Sequence, residues 1–151
     1  MKKILYLLLL ITTTTKVAFS DDLNIDELKP DYFVRQYIAD FNNQKNINRF
    51  FHFPVVWLVD NTSTPKIESN ASKELINYEN LKKTGWVKSV INDLKVIHRS
   101  ENRAFILLDF SRLDSNDNQI LRSEVMYTMT KQESNWGCLL YTSDAADEQQ
   151  R

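Results

Sequence analysis

Hydrophobic and polar positions alternate most regularly in residues 102–137. Residues 104–112 and 120–130 each follow a period of two, a polar turn separates them, and a shorter alternating run follows at 135–137. This pattern is typical of strands that bury one face. It predicts a long β-hairpin that continues into a third strand, and we expect the upstream chain to cover one face of this sheet.

Two helical segments are predicted upstream of the sheet. Apolar residues recur at helical spacing between Pro30, which suits a first helical turn, and Phe41. Residues 47–51 suggest a second, short helix or a turn. We expect Pro54 to end it, because the residue before a proline resists the helical conformation, and a buried strand to follow at residues 55–59.

A third helix is predicted to end just before Gly85. Ser69 or Ser72 would cap its start, residues 75–81 carry its apolar face, and Gly85 stands where a left-handed cap is common. After Trp86 the hydrophobic period changes to two, which predicts a strand. One face of this strand is expected to carry Val90, Asn92, Leu94, Val96 and His98.

Two turns determine the expected pairing of the strands. Residues 100–102 suit a three-residue hairpin loop, and residues 115–118 suit a four-residue loop. With these turns we expect Leu108 to lie between Leu94 and Val125. The apolar face of the sheet is then expected to consist of Leu94, Val96, Ile106, Leu108, Phe110, Leu121, Val125, Tyr127 and Met129.

Helices followed by a run of antiparallel strands predict an α+β fold. The chain resembles the nuclear transport factor 2-like superfamily, which includes ketosteroid isomerase-like and SnoaL-like proteins, over residues 30–137. The resemblance is carried by the element order, by Phe-Ser-Arg-Leu-Asp at residues 110–114, and by Tyr127 followed by Trp136-Gly137. It implies a cone-shaped fold with N-terminal helices packed on a curved, mainly antiparallel β-sheet. It implies little about function, because the superfamily includes enzymes, transport adaptors and exported domains.

The first 20 residues have the order of a secretory signal peptide. A basic start precedes an apolar run at residues 4–11, and small residues follow at 18–20. The run is shorter than the roughly 20 residues that a membrane span needs. We expect cleavage after residue 20 and an exported, periplasmic or secreted protein. Residues 21–28 are an acidic leader, which we expect to be poorly ordered.

Residues 138–148 resemble the translation of a transposase sequencing adapter, a known contaminant of metagenomic assemblies. We therefore predict that residues 138–151 are a non-native tail and that the native domain covers residues 29–137 and is truncated there. Cys138, the single cysteine, would then be foreign, and no disulfide is expected. The alternative is a genuine last strand with an acidic tail. In either case we expect residues 139–142 to form a strand.

Composition excludes some classes of partner. The formal net charge of -1 creates no basic field that would attract nucleic acid or, after signal cleavage, a membrane. The two histidines, His52 and His98, have no metal-ligand spacing and are interpreted as surface or capping residues. We therefore expect no metal, no cofactor and no nucleic-acid partner.

The resemblance implies what an enzyme of the ketosteroid isomerase kind would need, namely a carboxylate base and an oxyanion donor inside the cone. Tyr127 is placed to be the donor. The predicted register puts no carboxylate on the apolar face, since Asp109 and Glu124 fall on the opposite face, where Arg122 is expected to bridge them. We therefore predict no catalytic residues.

We predict an exported, non-catalytic domain that binds a small apolar or aromatic ligand in the cone. Two alternatives stay open, namely an isomerase, dehydratase or cyclase that acts on a small hydrophobic substrate, and a dimeric protein-interaction domain. Phe105, Leu107 and Met126, on the face that the helices leave open, favour a homodimer through the sheet. Arg112, inside the apolar row, is either a structural residue or an anion ligand. The predicted ligand-binding residues are Trp57, Asn92, Phe110, Arg112, Ser123 and Tyr127.

Overall fold

The computed structural model describes residues 29–59, 64–133 and 135–143. The predicted signal peptide and acidic leader lie outside this part of the chain, as do residues 144–151 of the predicted tail. None of the helices within it is long and apolar enough to cross a membrane. Its elements are helix α1 (Pro30–Asn42), a 3-10 helix (Asn48–Phe50), strands β1 (Phe51–Val59) and β2 (Lys66–Glu68), helix α2 (Tyr78–Lys82), and strands β3 (Lys88–Arg99), β4 (Arg103–Leu113), β5 (Gln119–Gln132) and β6 (Asn135–Ser143).

The described strands form one sheet in the order β2-β1-β6-β5-β4-β3. Strands β1 and β6 are parallel, and the other neighbouring strands are antiparallel. Helix α1 packs on one face of the sheet, which we call the inner face; the opposite side is the outer face. The predicted α+β class, with N-terminal helical structure on a mainly antiparallel sheet, is confirmed.

The predicted pairing of β3, β4 and β5 is also confirmed. Leu108 lies between Leu94 and Val125, and Ile106 lies opposite Tyr127. Leu108 and Ile106 are both 0% exposed, so the helix excludes water from the centre of the inner face. The buried apolar side chains of this face include Ala104, Ile106, Leu108, Phe110, Val125, Tyr127, Met129, Cys138 and Tyr141.

Two irregularities in β3 change which residues face inward. The pairing with β4 shifts between Ile91 and Asp93, and again between Val96 and His98. An extra residue on one strand reverses the alternation of side chains beyond it. His98 therefore pairs with Phe105 on the outer face, and the prediction that His98 shares a face with Val96 is wrong.

Asn92 is the second correction in β3. Its side-chain amide donates hydrogen bonds to Asp109 Oδ1 at 2.9 Å and to Ser111 Oγ at 2.8 Å. Both partners project from the outer face of β4, so Asn92 lies outside the cone. The prediction that Asn92 lines a pocket with Tyr127 is wrong, because the bulge before Asp93 turns it away. The same bulge makes the prediction for Val90 wrong, since Val90 pairs with Ser111 and does not share a face with Leu94.

Pro54 lies inside β1 and does not end a helix as predicted. The strand starts at Phe51, directly after the 3-10 helix, and its pairing with β6 shifts between Phe51 and Val56. Proline has no N–H to donate and is tolerated in a strand at an irregular position of this kind. The predicted buried strand at residues 55–59 is therefore the second half of a longer one.

Helix α2 is shorter than predicted. Its cap is the side chain of Asn77, which accepts a hydrogen bond from the Asn80 N–H at 3.0 Å. Upstream, the Ser72 N–H donates to the Asn70 side chain at 3.0 Å, a local turn that competes with helix formation. Gly85 has a φ of +87°, so the predicted left-handed residue after the helix is confirmed.

Polar side chains hold the last turn of α1 in place. Asn42 donates to the Ser89 carbonyl at 2.8 Å and accepts from the Ser89 N–H at 2.7 Å, which ties the helix to β3. Asp40, 6% exposed, accepts from Lys45 Nζ at 3.0 Å and Arg49 at 2.5 Å. Burial alone would raise the pKa of Asp40, but these two hydrogen bonds outweigh it and lower the pKa below 3.8.

Residues 138–143 complete β6, which lies between β1 and β5. The prediction that residues 139–142 form a strand is confirmed, and the foreign origin of the tail stays a prediction. Cys138 is 2% exposed and donates through its thiol to the Leu140 carbonyl at 3.3 Å. Burial raises the pKa of this thiol, so Cys138 behaves as a small core residue.

Candidate functional site

The cone between α1 and the inner face is filled by its own side chains. Among the described residues, two small cavities of about 20 Å³ and about 10 Å³ remain there. Each has room for roughly one water molecule, so an aromatic ligand would have to displace side chains. The larger cavity is lined by Tyr37, Ile38, Phe41, Ser89, Phe110, Arg112, Tyr127 and Tyr141.

Aromatic rings fill most of this interior. The Tyr37 ring centroid lies 6.1 Å from that of Tyr127, and the Tyr127 centroid lies 5.5 Å from that of Tyr141, both with edge-to-face geometry. Trp57 extends the cluster, with its centroid 4.9 Å from Tyr141 and 5.1 Å from Phe51. Such contacts add to the stability gained from burial alone, and they leave the rings little freedom to move apart.

The tyrosines of the cone are hydrogen-bond donors rather than bases. Burial raises the pKa of both Tyr37 and Tyr127 well above 10.0, and the neighbouring Arg112 offsets this only in part. The other groups that raise the pKa of Tyr127 are Tyr37, Tyr141 and Cys138. No carboxylate among the described residues faces Tyr127, so the base that an isomerase-type reaction needs is missing from this part of the chain.

Three of the predicted ligand-binding residues, Phe110, Arg112 and Tyr127, line the larger cavity. Trp57 lies in the same core at the β1 side, and its ring N–H is buried with no hydrogen-bond partner among the described residues. Ser123 is 6% exposed and its hydroxyl pairs with that of Ser143 at 3.0 Å. The sixth residue, Asn92, lies outside as described above.

The sequence prediction missed the α1 residues Tyr37 and Phe41, which close the cavity from above the sheet. Their helical spacing was a signal, because it marked both residues as core-facing. It could not indicate which strands they would meet. Arg112 packs its guanidinium 5.9 Å from the Phe41 ring centroid and 5.8 Å from that of Phe110, within the range of a cation–π contact.

The outer face carries apolar side chains that α1 and α2 do not cover. Met126 is 39% exposed, Leu58 38% and Ile67 58%. The register aligns these residues in two rows across the strands. The first row is Phe105, Thr128, Leu140, Val56 and Ile67, and the second is Leu107, Met126, Thr142 and Leu58.

A charged cluster lies beside the second row, on strands β3, β4 and β5. Asp109 stands opposite both Asp93 and Glu124, and like charges in such positions repel one another. Arg122 donates to the two Asp109 oxygens at 3.1 Å and 2.6 Å. The predicted contact of Arg122 with Asp109 is confirmed, whereas a bridge from Arg122 to Glu124 stays a prediction. The bonds from Arg122 hold the pKa of Asp109 below 3.8, with help from Asn92.

His52 lies on the outer face at the opposite end of the sheet. Its Nδ1 is 2.8 Å from Thr130 Oγ1. A Cβ atom at position 137 would come within 2.4 Å of the His52 ring, so Gly137 leaves the space that the ring occupies. Burial lowers the pKa of His52 below 6.5. Among the described residues no group of three His, Cys, Asp or Glu side chains could hold a metal ion.

Comparison with known families agrees with this architecture. The sequence matches the family described as NTF2-like protein (DUF6841) over residues 26–145, which is well over half of the chain. The chain belongs to this family. The resemblance to the nuclear transport factor 2-like superfamily is thereby confirmed for the NTF2-like domain. A search of the curated proteins finds no significant match.

Solved structures show the same fold at low sequence identity. An NTF2-like protein of unknown function from Pseudomonas putida KT2440 is 11% identical, with a TM-score of 0.59 over 78% of this chain and 87% of that one. An NTF2-like protein with a cystatin-like fold from Novosphingobium aromaticivorans is 12% identical, with a TM-score of 0.56 over 86% and 96%. A ketosteroid isomerase-like protein from Erwinia carotovora atroseptica is 14% identical, with a TM-score of 0.56 over 83% and 96%.

Proposed function

We propose that this NTF2-like protein is an exported, non-catalytic binding domain and that its main binding surface is the outer face, where a second copy docks. The observation that carries the proposal is the pair of apolar rows on a sheet face that no described helix covers. An exposed apolar area of this kind on a small domain favours a protein partner. The filled cone supports the same choice, because it leaves no room for a ligand without rearrangement.

The distribution of charge favours a second copy as the partner. On β4, Arg103 and Asp109 lie three residues on either side of Ile106. A two-fold axis that runs across the strands near Ile106 would reverse the strand direction. It would bring Arg103 of one copy over Asp109 and Glu124 of the partner. Such a self-complementary surface is what a two-fold interface requires.

The test is the mass of the full chain in solution as a function of concentration. We expect a dimer, and we expect Met126→Lys to weaken it at least about tenfold, because a charge would be buried in the apolar rows. Val87→Lys is the matched control, since Val87 is also exposed, at 49%, but precedes β3. A wild-type chain that stays monomeric at all concentrations would overturn the proposal.

A charge exchange tests the orientation of the dimer. Arg103→Glu alone should weaken association, and Arg103→Glu combined with Glu124→Arg should restore it. This recovery follows only if the two positions meet across the interface. If the double variant associates as weakly as Arg103→Glu alone, the proposed two-fold axis is wrong. The Met126→Lys result then decides separately whether the outer face is the interface.

A second candidate is binding of a small apolar or aromatic ligand in the cone. The observation in its favour is the group of Tyr37, Tyr127 and Arg112 around the larger cavity, which combines aromatic walls with polar donors. The deciding experiment is a thermal-shift screen of small aromatic and steroid-like compounds on the wild type and on Tyr127→Phe. A compound that stabilises the wild type more than the variant would support this candidate, and the absence of any such compound would retire it.

Export is part of the proposal and rests on the first 20 residues, with their basic start and apolar run. Expressed in a bacterium, the protein should be found in the periplasmic fraction, and its mature N-terminus should be Asp21. N-terminal sequencing of the mature material decides this. A chain that still begins at Met1 would show that the segment is not a cleaved signal.

A further inference from the structure

The loop that follows β2 presents an asparagine to solvent. Asn70, Ala71 and Ser72 are all exposed. The Asn70 Oδ1 atom accepts a hydrogen bond from the Ser72 N–H at 3.0 Å. Among the described residues, the Asn70 Nδ2 atom and the Ser72 hydroxyl have no hydrogen-bond partner. Both groups are therefore available to another molecule.

Asn48 of the 3-10 helix holds the backbone of this loop from its other side. The Asn48 Nδ2 atom donates to the Ala71 carbonyl at 3.1 Å and to the Lys73 carbonyl at 2.7 Å. Its Oδ1 atom accepts from the Leu75 N–H at 3.4 Å, and the residue is 8% exposed. The loop therefore combines a backbone that is fixed on the protein side with exposed side chains at residues 70 and 72.

The sequence of the loop matches an acceptor for N-linked glycosylation. Asn70 is followed by Ala71 and Ser72, which gives Asn-X-Ser with a residue other than proline in the middle. Glu68 stands two positions before Asn70, and the oligosaccharyltransferases of bacteria select an acidic residue at that position. The chain has a second Asn-X-Ser at residues 61–63, but Val59 stands two positions before it.

We propose that Asn70 is glycosylated in the exported protein and that Glu68 makes it recognisable to a bacterial transferase. This proposal rests on the export that is part of the proposed function. In the reaction, the Asn70 Nδ2 atom bonds to the anomeric carbon of a lipid-linked oligosaccharide, and the bond from that carbon to the lipid diphosphate breaks. The lipid diphosphate leaves with the electron pair of the broken bond, and the amide nitrogen loses one proton to a base of the transferase.

The position of Glu68 lets a transferase reach this segment while the core stays folded. Strand β2 is three residues long and forms one edge of the sheet. Glu68 Oε1 lies 2.9 Å from Lys66 Nζ, but these side chains are 25% and 57% exposed. An exposed ion pair of this kind contributes little to stability. The acidic side chain can therefore leave Lys66 and pair with a basic group of the transferase.

The test expresses the full chain in a bacterium that carries a bacterial oligosaccharyltransferase and its lipid-linked oligosaccharide. Trypsin cleaves after Lys66 and Lys73 and releases residues 67–73, which contain one asparagine. Mass spectrometry of this peptide from the periplasmic fraction measures the glycosylated fraction. We expect Glu68→Gln and Ser72→Ala each to lower this fraction at least about tenfold, because each removes one contact to the transferase.

Two controls accompany this measurement. Residues 61–63 of the same chain should stay unmodified, since no acidic residue precedes them at position 59. Glu74→Gln should leave the glycosylated fraction unchanged, because Glu74 is an exposed acidic residue of the same loop but follows Asn70.

The export and the modification can fail separately. If the protein is absent from the periplasmic fraction, the export is wrong, and an established signal segment in place of residues 1–20 then tests Asn70 alone. Three results would overturn the proposal: an unmodified Asn70 in periplasmic protein, a glycosylated fraction that Glu68→Gln leaves unchanged, or equal modification of Asn61 and Asn70.

Discussion

Leu107 and Leu108 are neighbours in β4, yet they meet different surroundings. Leu108 points to the inner face and is 0% exposed, whereas Leu107 points to the outer face, between Lys95 and Met126. The inner face has been closed by α1 and by rings that touch one another. The outer face carries residues of similar hydrophobicity and has no cover among the described residues.

This contrast separates what stabilises the fold from what remains available for binding. A packed interior resists ligands because entry requires the displacement of close contacts. A half-exposed apolar surface favours association because covering it removes apolar area from water. In this NTF2-like domain the inner face therefore accounts for stability, and the outer face is the better candidate for function. The four predictions below test that division, from the largest expected effect to the smallest.

The same substitution on the two neighbouring leucines gives the largest contrast. Leu108→Ala should lower the free energy of unfolding by about 2–5 kcal/mol, because it leaves a cavity in the packed inner face. Leu107→Ala should cost the isolated domain much less and should mainly weaken association. Urea denaturation at several protein concentrations measures both effects. If both variants lower the free energy of unfolding of the monomer equally, the inner and outer faces do not differ in their contribution to stability.

Asp40 tests how α1 is held over the inner face. Asp40→Asn should lower the free energy of unfolding by about 1–3 kcal/mol at neutral pH, since two charge-assisted hydrogen bonds lose their charged acceptor. The folded-state pKa lies below the ordinary 3.8. This stabilisation is therefore present above pH 3.8 and is lost as the pH falls through the lower folded-state value.

The matched control for that experiment is Asp31→Asn, because Asp31 is also on α1 but in its first turn. Denaturation curves at pH 7 and at pH 3 should show that the difference in the free energy of unfolding between the wild type and Asp40→Asn becomes smaller in acid. The corresponding difference for Asp31→Asn should be small at both pH values. If the difference for Asp40→Asn stays constant down to pH 3, the ionised Asp40 side chain is not the source of the stabilisation.

The pairing of the central strands could be predicted from the sequence because polar turns and apolar alternation agreed. Moving β4 by one residue would have placed Asp109 in the apolar layer, so a single register satisfied the pattern. The bulges of β3 could not be predicted in the same way. Asn92 and Ile97 are the extra residues of these bulges. The hydrogen bonds of Asn92 to Asp109 and Ser111 on β4 are visible only in three dimensions.

The candidate site shows the same limit. Phe110, Arg112 and Tyr127 could be assigned to one cavity because they share the inner side of two paired strands. Tyr37 joins them through the packing of α1, and Tyr141 joins them through the antiparallel pairing of β6 with β5, where it stands opposite Tyr127. The contact of Tyr37 is not local in sequence. The uncovered outer face could also be predicted from the sequence, because the predicted hairpin places Leu107 and Met126 on the side opposite the apolar layer that the helices cover.

Tyr127→Phe tests whether the inner face is plain core. The variant should keep the fold and lose about 1 kcal/mol or less, since only a hydroxyl beside a water-sized cavity is removed. Tyr32→Phe is a control, because Tyr32 is 38% exposed and lies away from the cavity lining. Thermal denaturation of both variants measures the effect. A loss of several kcal/mol would indicate that the hydroxyl makes a stronger contact than the described residues provide.

His52 gives the smallest effect and tests the outer face. Burial lowers its pKa in the folded chain below the ordinary 6.5, so the folded state binds fewer protons than the unfolded state as the pH falls. Stability is therefore complete above about pH 6.5 and declines through the lowered pKa. His52→Gln keeps a hydrogen-bonding group near Thr130 but cannot titrate, so its stability should change less than that of the wild type between pH 7 and pH 5. His98→Gln is the control, since His98 is exposed on the same face. Urea midpoints at several pH values compare the three chains. If the urea midpoints of the wild type and of His52→Gln change equally between pH 7 and pH 5, protonation of His52 is not the cause of the loss of stability.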